Sequence, residues 1–207
     1  MRQINRDSLP HLTECLRRLV VTQWHTLRTR LAAQWWGVRL GPKCSFNGTP
    51  VFRRHPGSRI TIDGGCIFNS SPTSNLIGIN RPCIVSTLKV GAQIRIGPAC
   101  GFSGTVIGCA TSIDIAENVR CGANTLITDT DWHQDDPRTT PDAPVIIEKG
   151  VWLGAGVTVF KGVTIGENTM VAAGSMVTRS LPANAVAGGI PAMVFKQINI
   201  ASTGSRQ

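Results

Sequence analysis

Six aliphatic residues stand six apart in the C-terminal half of the chain: Ile147, Leu153, Val159, Ile165, Val171 and Val177. A second row follows four positions after each, at Val151, Val157, Val163, Thr169 and Ser175. Small residues come directly after the first row at Gly154, Gly166 and Ala172. A period of six matches neither the 3.6 of an amphipathic helix nor the 2 of a half-buried strand. It requires a short strand and a corner, repeated, so that the chain coils and aliphatic side chains stack on one another. Hexapeptide periods of this kind mark a parallel β-helix.

The phase continues upstream with interruptions. Val90, Ile96 and Phe102 form one row, with Ile94, Cys100 and Val106 as the second. After a shift near 107–114 it resumes at Ile115, Cys121 and Ile127, with Val119 and Thr125. Nearer the N-terminus only Ile60, Ile62, Cys66-Ile67, Leu76–Ile79 and Ile84-Val85 hint at it, and Gly37–Ser58 reads as a connector with Gly41-Pro42 and Pro56-Gly57 as turns. Twenty-two glycines and an aromatic content of only 5% suit corners and a narrow interior that takes Val and Ile better than rings.

Residues 8–36 read as a helix: Leu9, Leu12, Leu16, Leu19/Val20, Leu27, Leu31 and Trp35 recur at steps of three or four, with arginines between them. Residues 1–59 hold 11 Lys or Arg against Asp7 and Glu14, whereas residues 60–207 hold 10 basic and 10 acidic residues, so the net charge of +9 belongs to the N-terminal segment. The bland use of this helix is to pack on the coil or a neighbouring subunit, and that is the reading preferred. The sharper one is an interfacial helix, with Trp24, Trp35, Trp36 and the arginines meeting anionic lipid. No nucleic-acid reader motif accompanies the charge. Seven cysteines without a CxxC pair read as reduced thiols in a cytoplasmic protein, Cys100 and Cys121 on inward positions. The expected division is a basic helical segment over 1–41, a β-helix over 42–196 and a flexible tail over 197–207.

Between Ile127 and Ile147 the phase breaks for residues 128–144, a polar insertion that must leave the coil as an excursion. Long irregular loops in compact domains are usually functional or disordered. This one holds His133, the only histidine after residue 55, beside Trp132 and among Asp129, Asp131, Asp135 and Asp136.

These pieces together resemble the hexapeptide-repeat acyltransferases, which fold as left-handed β-helices, and are most similar to the maltose/galactoside O-acetyltransferases and their relatives in polysaccharide biosynthesis. The resemblance rests on Asp129-Thr130-Asp131-Trp132-His133, Asp136-Pro137, Val151-Trp152-Leu153-Gly154, Ala172-Ala173-Gly174-Ser175 and Gly188-Gly189-Ile190-Pro191-Ala192, and spans roughly residues 60–196. It implies an acetyl-CoA-dependent O-acetyltransferase acting on a sugar or polysaccharide-precursor hydroxyl, with N-acetylation of an amino sugar and a non-catalytic scaffold as alternatives. His133 inherits the general base, a role that suits an imidazole titrating near neutrality. The Ala155 N–H inherits the oxyanion donor, and Trp152 and Ala173 the pantetheine contacts. Thr178, Arg179 and Lys196 match positions at the nucleotide end of coenzyme A. Ser103, Asp131, Trp132 and Asp136 are candidate acceptor contacts, and Asp131 or Asp136 could orient the imidazole. The family further implies a homotrimer with sites between chains. A catalytic zinc site normally takes three protein ligands, so His133 alone does not suggest a metal. Met193 departs from the family, where Lys or Arg is common after Pro-Ala.

Overall fold

The structure is a computed structural model that describes residues 8–133 and 135–198. Helix α1, Leu9–Trp35, is followed by six three-stranded coils and a closing hairpin. The first coil contains β1 (Arg39–Leu40), β2 (Ser45–Asn47) and β3 (Val51–Arg53), and the second β4 (Arg59–Ile62), β5 (Ile67–Asn69) and β6 (Ile84–Thr87). The third contains β7 (Gln93–Ile96), β8 (Gly101–Ser103) and β9 (Val106–Cys109), and the fourth β10 (Ser112–Ile115), β11 (Arg120–Ala123) and β12 (Leu126–Thr128). The fifth contains β13 (Val145–Ile147), β14 (Trp152–Leu153) and β15 (Thr158–Val159), and the sixth β16 (Thr164–Ile165), β17 (Met170–Val171) and β18 (Met176–Val177). Strands β19 (Ala185–Gly189) and β20 (Ala192–Gln197) form the hairpin.

Every third strand pairs in parallel, which gives three sheets: A (β1-β4-β7-β10-β13-β16), B (β2-β5-β8-β11-β14-β17) and C (β3-β6-β9-β12-β15-β18). The hairpin extends sheet B, with β19 parallel to β17 and β20 antiparallel to β19. The predicted parallel β-helix is therefore present, and the aliphatic row of the sequence is its core: Ile147, Leu153, Val159, Ile165, Val171 and Val177 are all buried.

Register explains the interruptions. Ile62, Ile96, Ile115, Ile147 and Ile165 stack in sheet A at intervals of 34, 19, 32 and 18 residues. Only the last interval is three clean hexapeptides. The two long ones carry excursions from the coil, one between β5 and β6 and the other between β12 and β13. The interval of 19 contains a single extra residue near Ala110, and this is the phase shift near 107–114. Between sheets A and B each coil turns through a left-handed residue, at Lys43, Gly65, Ala99, Asn118, Gly150 and Asn168, and Asn184 repeats the turn just before β19. Glycine and asparagine take that conformation at least cost, which explains their place in most of these corners.

Three expectations need correction. The connector assigned to Gly37–Ser58 is the first complete coil, since β1 pairs with β4, β2 with β5 and β3 with β6. The interior also accepts rings: Phe46, Phe68 and Phe102 stack in successive coils with centroids 5.2 and 4.8 Å apart. The same column narrows upward through Cys121, Leu153, Val171 and Ala187, so large side chains fill the early coils and small ones the late coils. Val90, placed in the inward row, lies exposed in the turn before β7.

The span read as a helix, 8–36, is α1. It does pack on the coil, but through an unexpected face. Thr29 and Ala33 are its buried residues, and Thr26 accepts the Phe46 N–H on its hydroxyl at 3.2 Å. Thr22 donates to the Asn47 side chain at 2.7 Å, and His25 Nδ1 lies 3.0 Å from the Thr49 hydroxyl. The first coil has no coil beneath it, so its edge amides need partners, and the threonines of α1 supply them. The leucine row faces outward. Residues 199–207 of the proposed tail and residues 1–7 lie outside the described residues.

Candidate active site

The excursion that carries His133 is anchored at its root by Asp129. This buried carboxylate accepts the N–H groups of Ala110, Thr111 and Ser112 at 2.6, 2.7 and 2.8 Å. It also accepts the Thr111 hydroxyl at 2.8 Å, and the Cys109 thiol lies at 3.3 Å. The extra residue near Ala110 breaks the ladder locally and turns three amides toward one point, and Asp129 fills that point. Burial and the neighbouring Asp129 charge push the Cys109 thiol well above its usual range, so it stays protonated.

Trp132 comes next, in a left-handed conformation at φ 68° that is costly for a bulky residue. Its indole N–H donates to the Thr128 hydroxyl at 3.2 Å, and the ring lies against Gly108, where a Cβ would stand 2.4 Å from the ring edge. Gly108 is thus required by the close approach of the indole. Beyond it His133 is exposed, and its imidazole makes no hydrogen bond among the described residues. Lys161, two residues past β15, pairs with the Asp131 carboxylate and donates to the Thr140 carbonyl at 2.6 Å, clasping the two arms of the loop. Asp136 is held by Arg138 at 2.6 Å, which keeps its carboxyl below the usual carboxylate range. Asp131 and Asp136, the candidates for orienting the imidazole, are therefore each occupied by a cation, Lys161 from the coil beside the loop and Arg138 from the loop itself.

A groove of about 360 Å³ runs along sheet B. Trp152, Gly154, Ala155, Ala172 and Ala173 line it, together with Asn75 and Ile77 from the excursion between β5 and β6. Trp152 is half exposed, and a Cβ on Gly154 would meet the Ala173 nitrogen at 2.5 Å, so consecutive coils press together here. The amides of Ala155 and Ala173 donate to no acceptor among the described residues, although the Ala155 carbonyl accepts the Gly174 N–H at 2.8 Å. The groove thus offers an indole face, an apolar floor and two unused backbone donors one coil apart.

The structure brings Trp152, Ala155 and Ala173 together, but within one chain it does not bring His133 to them: the loop leaves from sheet C and the groove lies on sheet B. Thr178 and Arg179 are exposed just past β18 of sheet C, and Lys196 is exposed on β20. Ser103 is buried under the first excursion, where the side-chain amides of Asn69 and Asn75 each donate to its hydroxyl at 3.1 Å. Asn75 and Ile77 were missed in the sequence. The signal available was the interval of 34 residues from Ile62 to Ile96, which demands an excursion as firmly as the later break does. Among the described residues no group of three or more His, Cys, Asp or Glu could hold a metal ion.

Fold and groove together define a β-helix of hexapeptide repeats that offers an extended slot to a slender, partly apolar ligand. The comparisons with known proteins agree. The model of the hexapeptide repeat of succinyl-transferase matches residues 144–179. A galactoside O-acetyltransferase of Lactococcus lactis is 44% identical over 94 residues, 43% of this chain and 45% of its own. A galactoside O-acetyltransferase of Escherichia coli is 34% identical over 115 residues, 53% of this chain and 56% of its own. The chain thus spans about half the length of these curated relatives. A crystal structure of a mutant of AntD, an N-acyltransferase from Bacillus cereus in complex with dTDP and coenzyme A, superimposes with a TM-score of 0.61 at 19% identity, covering 81% of this chain and 87% of that one. That likeness shows the shared fold, the left-handed β-helix. The resemblance to the hexapeptide-repeat acyltransferases is borne out.

Proposed function

We propose that this protein is an acetyl-CoA-dependent O-acetyltransferase whose acceptor is a hydroxyl of a sugar or polysaccharide precursor. The observation that carries the reading is the sheet B groove, where Trp152 and the unused amides of Ala155 and Ala173 line one slot. A pantetheine arm has the matching chemistry: a slender chain with amide acceptors for backbone donors and methylene groups for an indole face. The names of the curated relatives favour oxygen as the acceptor atom.

In this mechanism the acceptor hydroxyl attacks the thioester carbonyl carbon while His133 removes its proton. The tetrahedral oxyanion is met by the Ala155 N–H, a fixed donor that needs no reorganisation as charge develops. The carbon–sulfur bond then breaks, the ester is released, and the proton held on His133 passes to the departing thiolate. Thr178, Arg179 and Lys196 meet the nucleotide end, where cations face phosphates. Since His133 and the groove lie on different faces of one chain, the reading includes a homotrimer in which the loop of one subunit covers the groove of the next. Asp129, Gly108 and Lys161 then act as positioning residues that hold the loop in a defined shape.

The test is thiol release from acetyl-CoA over a panel of sugar acceptors, with coenzyme A binding measured in parallel by calorimetry. His133→Ala is expected to lower turnover by about a hundredfold to ten-thousandfold with binding retained. Absence of coenzyme A binding to the unmodified protein would remove the transferase reading and leave a β-helix scaffold.

A further inference from the structure

Nine large apolar residues of α1 are exposed: Leu9, Leu12, Leu16, Leu19, Val20, Trp24, Leu27, Leu31 and Trp35, from 45 to 86% accessible. At 100° per residue they occupy one stripe on the side opposite Thr22, Thr26, Thr29 and Ala33, which dock on the first coil. The stripe therefore points away from the coil along a helix about 40 Å long. Contiguous apolar surface on this scale marks an interaction face. No described helix is long and apolar enough to cross a membrane.

Charge selects the occupant. The helix carries Arg17, Arg18, Arg28 and Arg30 against one acid, Glu14, and Glu14 is already shared by Arg17 and Arg18 at 2.7 and 2.9 Å. Arg17 and Arg28 stand at one border of the stripe beside Trp24 and Trp35. Packing this face on its own copy would bring arginines toward arginines with no free carboxylate to separate them. Arg18 and Arg30 reach back to the Thr73 and Gly41 carbonyls of the coil, which leaves Arg17 and Arg28 beside the stripe. An anionic lipid surface meets both demands, with acyl chains for the leucines and headgroups for these two arginines and the indoles. The first 59 residues hold the whole excess of positive charge, so the field points the same way.

We infer that α1 is an interfacial helix that seats the protein on an anionic lipid surface through its Leu16–Leu27–Trp35 stripe, with the coil standing away from the bilayer. The groove, four strands along sheet B from β2, then lies about 19 Å from the α1 end of the coil, close enough to serve an acceptor held at the lipid surface.

The experiment is co-sedimentation of the full chain with vesicles of phosphatidylcholine alone or mixed with phosphatidylglycerol, at low and high salt. Binding is expected to the mixed vesicles only, to weaken with salt, and to fall about tenfold or more in Leu16→Glu/Leu27→Glu, with coil circular dichroism and assembly mass unchanged. Leu16→Ala/Leu27→Ala, a milder pair, is expected to weaken binding in the same direction if the glutamates disturb folding. Tryptophan emission is expected to shift to the blue on vesicle addition, and Trp24→Phe/Trp35→Phe to abolish the shift. The inference is overturned if the unmodified chain ignores phosphatidylglycerol or if the leucine variants bind as well as it does. A fall in assembly mass in those variants would equally overturn it and assign the stripe to a second copy.

Discussion

Asp129 and the buried cysteines of the coil show what single side chains contribute. With three successive amides and a hydroxyl converging on it, the Asp129 carboxylate carries the whole local hydrogen-bond account of the irregular step at Ala110–Ser112. Asp129→Ala leaves those donors buried without partners, and a loss of about 3 kcal/mol or more in urea denaturation is expected. Asp129→Asn, which keeps one acceptor oxygen, is expected to fall between. The sequence marked Asp129 as one of several loop acids and could not single it out, because three of its partners are backbone amides, which leave no trace in residue identity. Thiol chemistry gives a second check. Cys44, Cys66, Cys83, Cys100, Cys109 and Cys121 are buried and Cys15 is exposed, and burial pushes the Cys83, Cys109 and Cys121 thiols upward. A thiol reagent at neutral pH is therefore expected to modify about one cysteine per native chain, and all seven after denaturation, as read by mass spectrometry.

At the level of elements, α1 separates what hydrophobic period can and cannot reveal. Period placed the helix within a residue or so of its ends, yet it pointed to the leucine row as the docking face, because apolar stripes usually face a core. Here the surface to be covered is the polar edge of the first coil, whose unpaired amide at Phe46 needs an oxygen. Two threonines one turn apart expose the difference. Thr26→Val removes the acceptor for Phe46, with an expected loss of about 1–3 kcal/mol in thermal or urea unfolding. The buried Thr29 hydroxyl has no hydrogen-bond partner among the described residues, so Thr29→Val is expected to be neutral or slightly stabilising in the same measurement. The first coil was hidden for a related reason. Its inward positions on sheets B and C are Cys44, Phe46 and Phe52, and only Val38 and Leu40 are aliphatic, so the aliphatic row that exposes the late coils is broken there.

For the whole molecule, the late coils were legible because their six-residue spacing is uninterrupted, and the break in that spacing exposed the excursion over 128–144; the excursion between β5 and β6 was not read, because the early coils carry no clean period to break. Trp152, Ala155 and Ala173, named from the resemblance, share one groove, whereas Asn75 and Ile77 come from an insertion in which Leu76–Ile79 read as a trace of the period. One chain does not bring His133 to that groove, since the two lie on different sheets. The proposed trimer makes a quantitative demand here. Ala173→Trp fills the groove with an exposed side chain and leaves the loop intact, while His133→Ala leaves the groove intact. Each homogeneous variant is expected to be nearly inactive. Co-refolded in equal amounts, they place an intact loop against an intact groove at about one interface in four, so about a quarter of the unmodified turnover should return. A site contained within one chain would recover nothing, because every chain would still lack one of its two parts.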